Sequence, residues 1–88
     1  MKEIEIFLEK EIDSDLGSRN KIEKLYHNIP DDVSKVVMNF TGVNFMGRSF
    51  AQEYLNQKDK SNFEVVEVNV PSDVQKLFNI ILKINGHL

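Results

Sequence analysis

Glycine, arginine and serine meet in one short run, Met46-Gly47-Arg48-Ser49, and there the chain offers its clearest chemistry. The run lies where an apolar stretch gives way to an amphipathic one, so it marks a turn becoming a helix. A helix start carries N–H groups without intrahelical acceptors and the positive end of the macrodipole. A hydroxyl and a guanidinium at that place make a candidate anion site. Ser49-x-x-Gln52 also fits a capping box, in which the same hydroxyl serves the backbone instead.

Other chemistry has less material. His27 and His87 are the only histidines, and neither has a second one at metal-ligand spacing. His27 falls near the end of a helical run, where a cation suits the dipole. Asp13-Ser14-Asp15 has two carboxylates at the opening spacing of a calcium loop, but no later ligands follow on schedule, so Asp13 to Gly17 is expected as solvated loop. Thr41 to Gly47 carries two glycines, yet neither a Walker lysine-serine pair nor GxGxxG. Cysteine is absent, which excludes disulfides, thiolate metal sites and cysteine nucleophiles. No acid–base pair assembles, so the expectation is a non-enzyme without metal or cofactor.

The elements that must position the junction follow from periodicity. Glu3 to Glu9 alternates, with Ile4, Ile6 and Leu8 on one strand face and Phe7 among glutamates on the other. Ser18 takes an N-cap place before a helix whose apolar face is Ile22, Leu25, Tyr26 and Ile29, and Pro30 ends it. Lys35 to Phe40 is a second strand, with Val36, Met38 and Phe40 opposite Val37 and Asn39. The second helix is expected from Ser49, burying Phe50, Ala51, Tyr54 and Leu55, with Asn56 to Asn62 looping back. Phe63 to Val70 is a third strand, Val66, Val68 and Val70 opposing Phe63, Val65, Glu67 and Asn69. Ser72-x-x-Gln75 opens a last helix on Val74, Leu77, Phe78, Ile81 and Leu82, with Ile80 and Ile84 expected to widen the core stripe, and Gly86 is placed to stop it.

The order βαβαβα predicts an α/β fold, a small parallel three-stranded sheet in sequential order. Right-handed crossovers then put all three helices on one side. The other face, with Phe7, Val37, Val65 and Phe63 among Glu3, Glu5, Glu67 and Asn69, looks outward as a candidate homodimer surface.

Length bounds the rest. Eighty-eight residues make one domain, 1–88, and 41% apolar with 28% charged residues is an ordinary globular balance. A net charge of −3 with dispersed lysines argues against nucleic acid. The opening Met-Lys-Glu-Ile-Glu is not a signal peptide and no run spans a bilayer, so no membrane role and a cytoplasmic setting are expected.

The stretch Val37 to Glu53, VMNFTGVNFMGRSFAQE, resembles the core motif of STAS domains, typified by anti-sigma factor antagonists. There a strand ending in aspartate-leucine-serine-glycine-valine leads to aspartate-serine-serine-glycine at a helix start. Asn39-Phe40-Thr41-Gly42-Val43 and Gly47-Arg48-Ser49-Phe50 stand in those places. Arg48 occupies the position phosphorylated in the antagonists, and Ser49 matches the second serine. The chain is more similar still to a STAS-like family of uncharacterised function, often encoded beside histidine-kinase-type ATPases. That family shares Ser18-Arg19, the strand and glycine-valine turn, Gly47-Arg48, Phe50-Ala51 and Glu53. The resemblance covers Gly17 to Leu55. Asn39 and Gly47 in place of aspartates, and Arg48 and Phe50 in place of serine and glycine, depart from the antagonists, so their phosphorylation switch is not inherited.

The resemblance implies a non-enzymatic regulatory domain that docks a serine kinase or histidine-kinase-type ATPase. Ser49 is then the candidate phosphosite, and Gly47, Arg48, Phe50, Glu53 and Arg19 the partner or anion contacts. A self-associating structural module and a small anion or ligand binder are the alternatives.

Overall fold

Glutamates alternating with isoleucines build β1 (Lys2–Phe7), the first of nine elements among the described residues. After it come α1 (Leu8–Glu11), β2 (Asp15–Leu16), α2 (Arg19–His27), β3 (Val33–Asn39), β4 (Phe45–Met46), α3 (Arg48–Lys60), β5 (Glu64–Val68) and α4 (Ser72–Ile84). The computed structural model describes residues 2–17 and 19–84. The expected caps at Ser18 and Gly86, and His87, lie outside the described residues.

The sheet has the order β1-β3-β5 with every pairing parallel, and β2 and β4 form a second, two-stranded parallel ladder. α2 packs on α3 and α3 on α4, forming a single helical layer over the sheet. Between the layers lies an aromatic core. Tyr54 stacks on Phe78 at 5.3 Å between centroids, and Phe40 meets both edge-on. Tyr26 meets Tyr54 edge-on and stacks on Phe63. Such ring pairs add about 0.5–1.5 kcal/mol each beyond burial. Among the described residues, no helix is long and apolar enough to cross a membrane.

The facings of β1 and β3 are as expected, with Ile6, Val36, Met38 and Phe40 buried under the helices. That of β5 is reversed. Val65 pairs beside Val36 and Glu67 beside Met38, and paired residues of a parallel ladder share a face. Val65 and Phe63 therefore pack against the core, and Val65 leaves the candidate dimer surface. Val66 and Val68 take its place beside Val37 and Phe7. Glu67 is tolerated on the inner side because the Tyr54 hydroxyl donates to it at 2.7 Å and the Lys58 ammonium approaches it at 3.0 Å.

Several boundaries also move. Leu8 and Glu9 leave the first strand for α1, with Leu8 fully buried. β3 begins at Val33, and the third strand shortens to Glu64–Val68. Asn56 to Lys60 continues α3 instead of looping. The Gln57 amide donates to Glu53 one turn back at 2.7 Å, Lys58 is held by Glu67, and the Ser61 hydroxyl closes the end on the Lys58 carbonyl. Ser72 is already inside α4; Gln75 bonds to the Pro71 carbonyl through its backbone and to Asn79 through its side chain, so that capping box is not formed. Ile80 and Ile84 are exposed and do not widen the core stripe.

Candidate functional site

The junction is held by the small ladder. Asp15 pairs with Phe45 and Leu16 with Met46, while the Gly47 N–H donates to the Leu16 carbonyl at 2.8 Å. Alternation sends Leu16 and Met46 into the core and leaves Phe45 55% exposed. The stretch expected as a solvated loop at Asp15-Leu16 is thus an anchoring strand. Two residues are too few to register as a period, and only the isolated leucine signalled it.

Because β2 and β4 run parallel and each leads directly toward a helix, α2 and α3 start beside one another. A Cβ on Gly47 would stand 3.7 Å from the Gly17 Cα and 3.6 Å from the Leu16 carbonyl, which is ordinary contact. Neither helix has an acid in its first turn, and each opens on an arginine, Arg19 in α2 and Arg48 in α3. Both arginines and Ser49 are exposed. Arg19 thus opens the helix beside the one that Gly47, Arg48 and Ser49 begin, and Phe45, unforeseen in the sequence, is exposed just before Met46 and Gly47. Exposed Asp15 stands beside Phe45 in the ladder.

Two expectations need correction. Gly47, not Ser49, is the N-cap, with no side-chain cap bond, and Ser49 is the second residue of the helix. The Gly47 backbone is extended at φ −73°, and its carbonyl accepts from the Ala51 N–H at 3.0 Å, so the helix begins two residues earlier than a Ser49 cap would set it. Phe50 is fully buried and anchors α3 in the core, which removes it as a partner contact. Glu53 is half-buried and accepts from Gln57, a helix-surface acid one turn along.

The turn feeding the junction is locked by a polar cluster at the carboxyl end of the sheet. The buried Asn39 amide donates to Glu5 at 3.0 Å, and its oxygen accepts from the Thr41 N–H and hydroxyl at 2.9 and 2.6 Å and from Asn69 at 3.2 Å. Asn69 reaches in from the left-handed region at φ 56°, and its amide also meets the Thr41 hydroxyl at 3.1 Å. Gly42 follows at φ 83°, where a Cβ would fall 3.2 Å from the Glu9 side chain. This Gly42 requirement is real, unlike that of Gly47. The cluster fixes the path from β3 to β4 and presents no free catalytic pair.

Away from the junction, a cleft of about 460 Å³ opens at the far ends of α2 and α3, lined in part by Tyr26, His27, Asp31, Lys60 and Phe63. None of its lining residues belongs to the junction. Among the described residues, no group of three or more side chains is arranged to hold a metal ion. Set against protein-family models, curated proteins and solved structures, the chain matches none of them.

Proposed function

We propose that this chain is a non-enzymatic regulatory domain of STAS-like type that docks a histidine-kinase-type ATPase or serine kinase through the start of α3. The observation that carries the reading is the side-by-side start of α2 and α3, which open on exposed Arg19 and Arg48, with Phe45 exposed just ahead of α3. Two positive helix ends, two guanidinium groups and an aromatic ring suit an acidic, partly apolar partner surface. Sequential parallel strands under one layer of helices accord with the arrangement that the resemblance implies.

Ser49 lies exposed at the second helical position, within reach of a kinase. A phosphoryl group there adds about −1.5 to −2 charges. The dipole favours that charge by about 0.3–1 kcal/mol, so the fold survives while the docking surface gains negative charge. Phosphorylation thus offsets the positive charge that draws an acidic partner in. The test is to incubate the protein with the ATPase encoded nearest to it, measure association, and search Ser49 for a phosphoryl adduct by mass spectrometry. Failure of every such partner to bind sinks the reading; binding without an adduct leaves a docking domain without the switch.

A further inference from the structure

The cleft at the far ends of α2 and α3 encloses about 460 Å³, a volume that holds a small molecule. The last turn of α2, the turn 29–33 and the link from α3 to β5 form its walls. Tyr26, Ile29 and Val33 on its lining are buried, and Phe63 is half-buried against the core. Phe63 stacks on Tyr26 at 6.0 Å between ring centroids and 17° between ring planes. Tyr54 holds the Tyr26 ring edge-on from the other side. The floor of the cleft is therefore an aromatic pair fixed by the core.

Charge distinguishes the rim. Among the described residues, the lining carries two fixed charges, Asp31 and Lys60, opposite in sign and both exposed. Neither belongs to an ion pair, whereas Asp32 is met by Lys2 at 3.7 Å and Lys58 meets Glu67 at 3.0 Å. His27, also on the lining, adds to Lys60 when protonated and leaves the pairing of signs unchanged. One carboxylate and one ammonium thus border the same apolar floor without meeting each other.

We infer that the cleft binds a free α-amino acid with an apolar side chain. Its ammonium lies at Asp31, its carboxylate at Lys60 and its side chain over Tyr26 and Phe63. The signs of the rim select this class. An anion would meet Asp31, a cation would meet Lys60, and an uncharged molecule would use neither. A zwitterion answers both charges through charge-assisted hydrogen bonds, which are the stronger kind. An apolar side chain then gains by leaving water for the ring floor. The site lies at the opposite end of α2 and α3 from Arg19 and Arg48, so it stands independently of the docking proposal.

Nuclear magnetic resonance titration of the full chain with L-phenylalanine and L-leucine tests it. Saturable shifts of backbone amides are expected within 26–33 and 57–63, with the starts of α2 and α3 unmoved. N-acetyl-L-phenylalanine amide keeps the ring and lacks both charges, and should bind about tenfold more weakly than L-phenylalanine. Asp31→Asn and Lys60→Gln should each weaken binding about threefold, the scale of one exposed ion pair. Both side chains are on the surface, so the variants should otherwise keep the wild-type spectrum. The inference is overturned if neither amino acid gives saturable shifts at the cleft, if the uncharged analogue binds as tightly as L-phenylalanine, or if either variant binds as tightly as the wild type.

Discussion

The Tyr54 hydroxyl donates to the Glu67 carboxylate across 2.7 Å, tying the middle of α3 to the edge strand β5. Burial pushes the ionisation of Tyr54 well above its ordinary 10.0, and the neighbouring Tyr26 and Glu67 add to the shift. Tyr26 is raised as well, first by burial and then by Glu67. Its hydroxyl is buried with no hydrogen-bond partner among the described residues.

Both tyrosines of the chain therefore keep their protons in the folded state to higher pH than in the unfolded one. The stability this provides is complete below pH 10.0 and falls as pH rises above it. Near-ultraviolet tyrosinate absorbance should stay flat through the ordinary range and then rise together with loss of helical signal. A smooth titration centred on the ordinary value, with the fold intact, contradicts this. At neutral pH, Tyr26→Phe should be neutral or stabilising by up to about 1 kcal/mol, because it removes an unsatisfied donor, whereas Tyr54→Phe should cost about 1–2 kcal/mol. Chemical denaturation measures both.

Asn39→Asp should be destabilising by about 1–2 kcal/mol at neutral pH. The change removes the donor to Glu5 and sets a second carboxylate against it at 3.0 Å. Like charges raise the folded-state ionisation of such a pair, so stability is lost as pH rises through the carboxylate range and regained on acidification. Denaturation midpoints of wild type and variant should therefore converge as pH falls to about 4. A gap independent of pH would show that geometry, not charge, sets the cost.

Leu16→Ala should lower stability by about 2–5 kcal/mol, the range for a fully buried leucine. Leu16 is 0% exposed, and its strand holds Gly47 through the 2.8 Å backbone bond. Denaturant unfolding decides between this and the near-zero effect that a solvated loop would give.

The sequence carried the inward faces of β1, α2 and β3 plainly, because Ile4, Ile6, Val36 and Met38 alternate and Ile22 and Tyr26 repeat at the helical period. β5 misled for a physical reason. Val66, Val68 and Val70 form the more apolar set, yet Glu67 is the inward residue, since its carboxylate has a buried hydroxyl and an ammonium to meet. Ser49 misled in another way: a serine followed by glutamine three residues on marks a cap only when the helix starts there, and this one starts at Arg48. Of the candidate site, Arg19, Arg48 and Ser49 were legible, and they are exposed at the starts of two neighbouring helices. Phe45 was not, because a two-residue strand leaves no pattern to show which way it points.

The most direct measurement is isothermal titration of the wild-type protein and its Arg48→Glu variant into a purified histidine-kinase-type ATPase, the partner class proposed above, taking whichever is encoded nearest to it. Arg48 is exposed, so the variant should fold with the same melting temperature. Saturable binding by the wild type, weakened at least tenfold in the variant, is the expected result. No heat of binding from the wild type, or equal affinity for both proteins, would contradict docking through the start of α3.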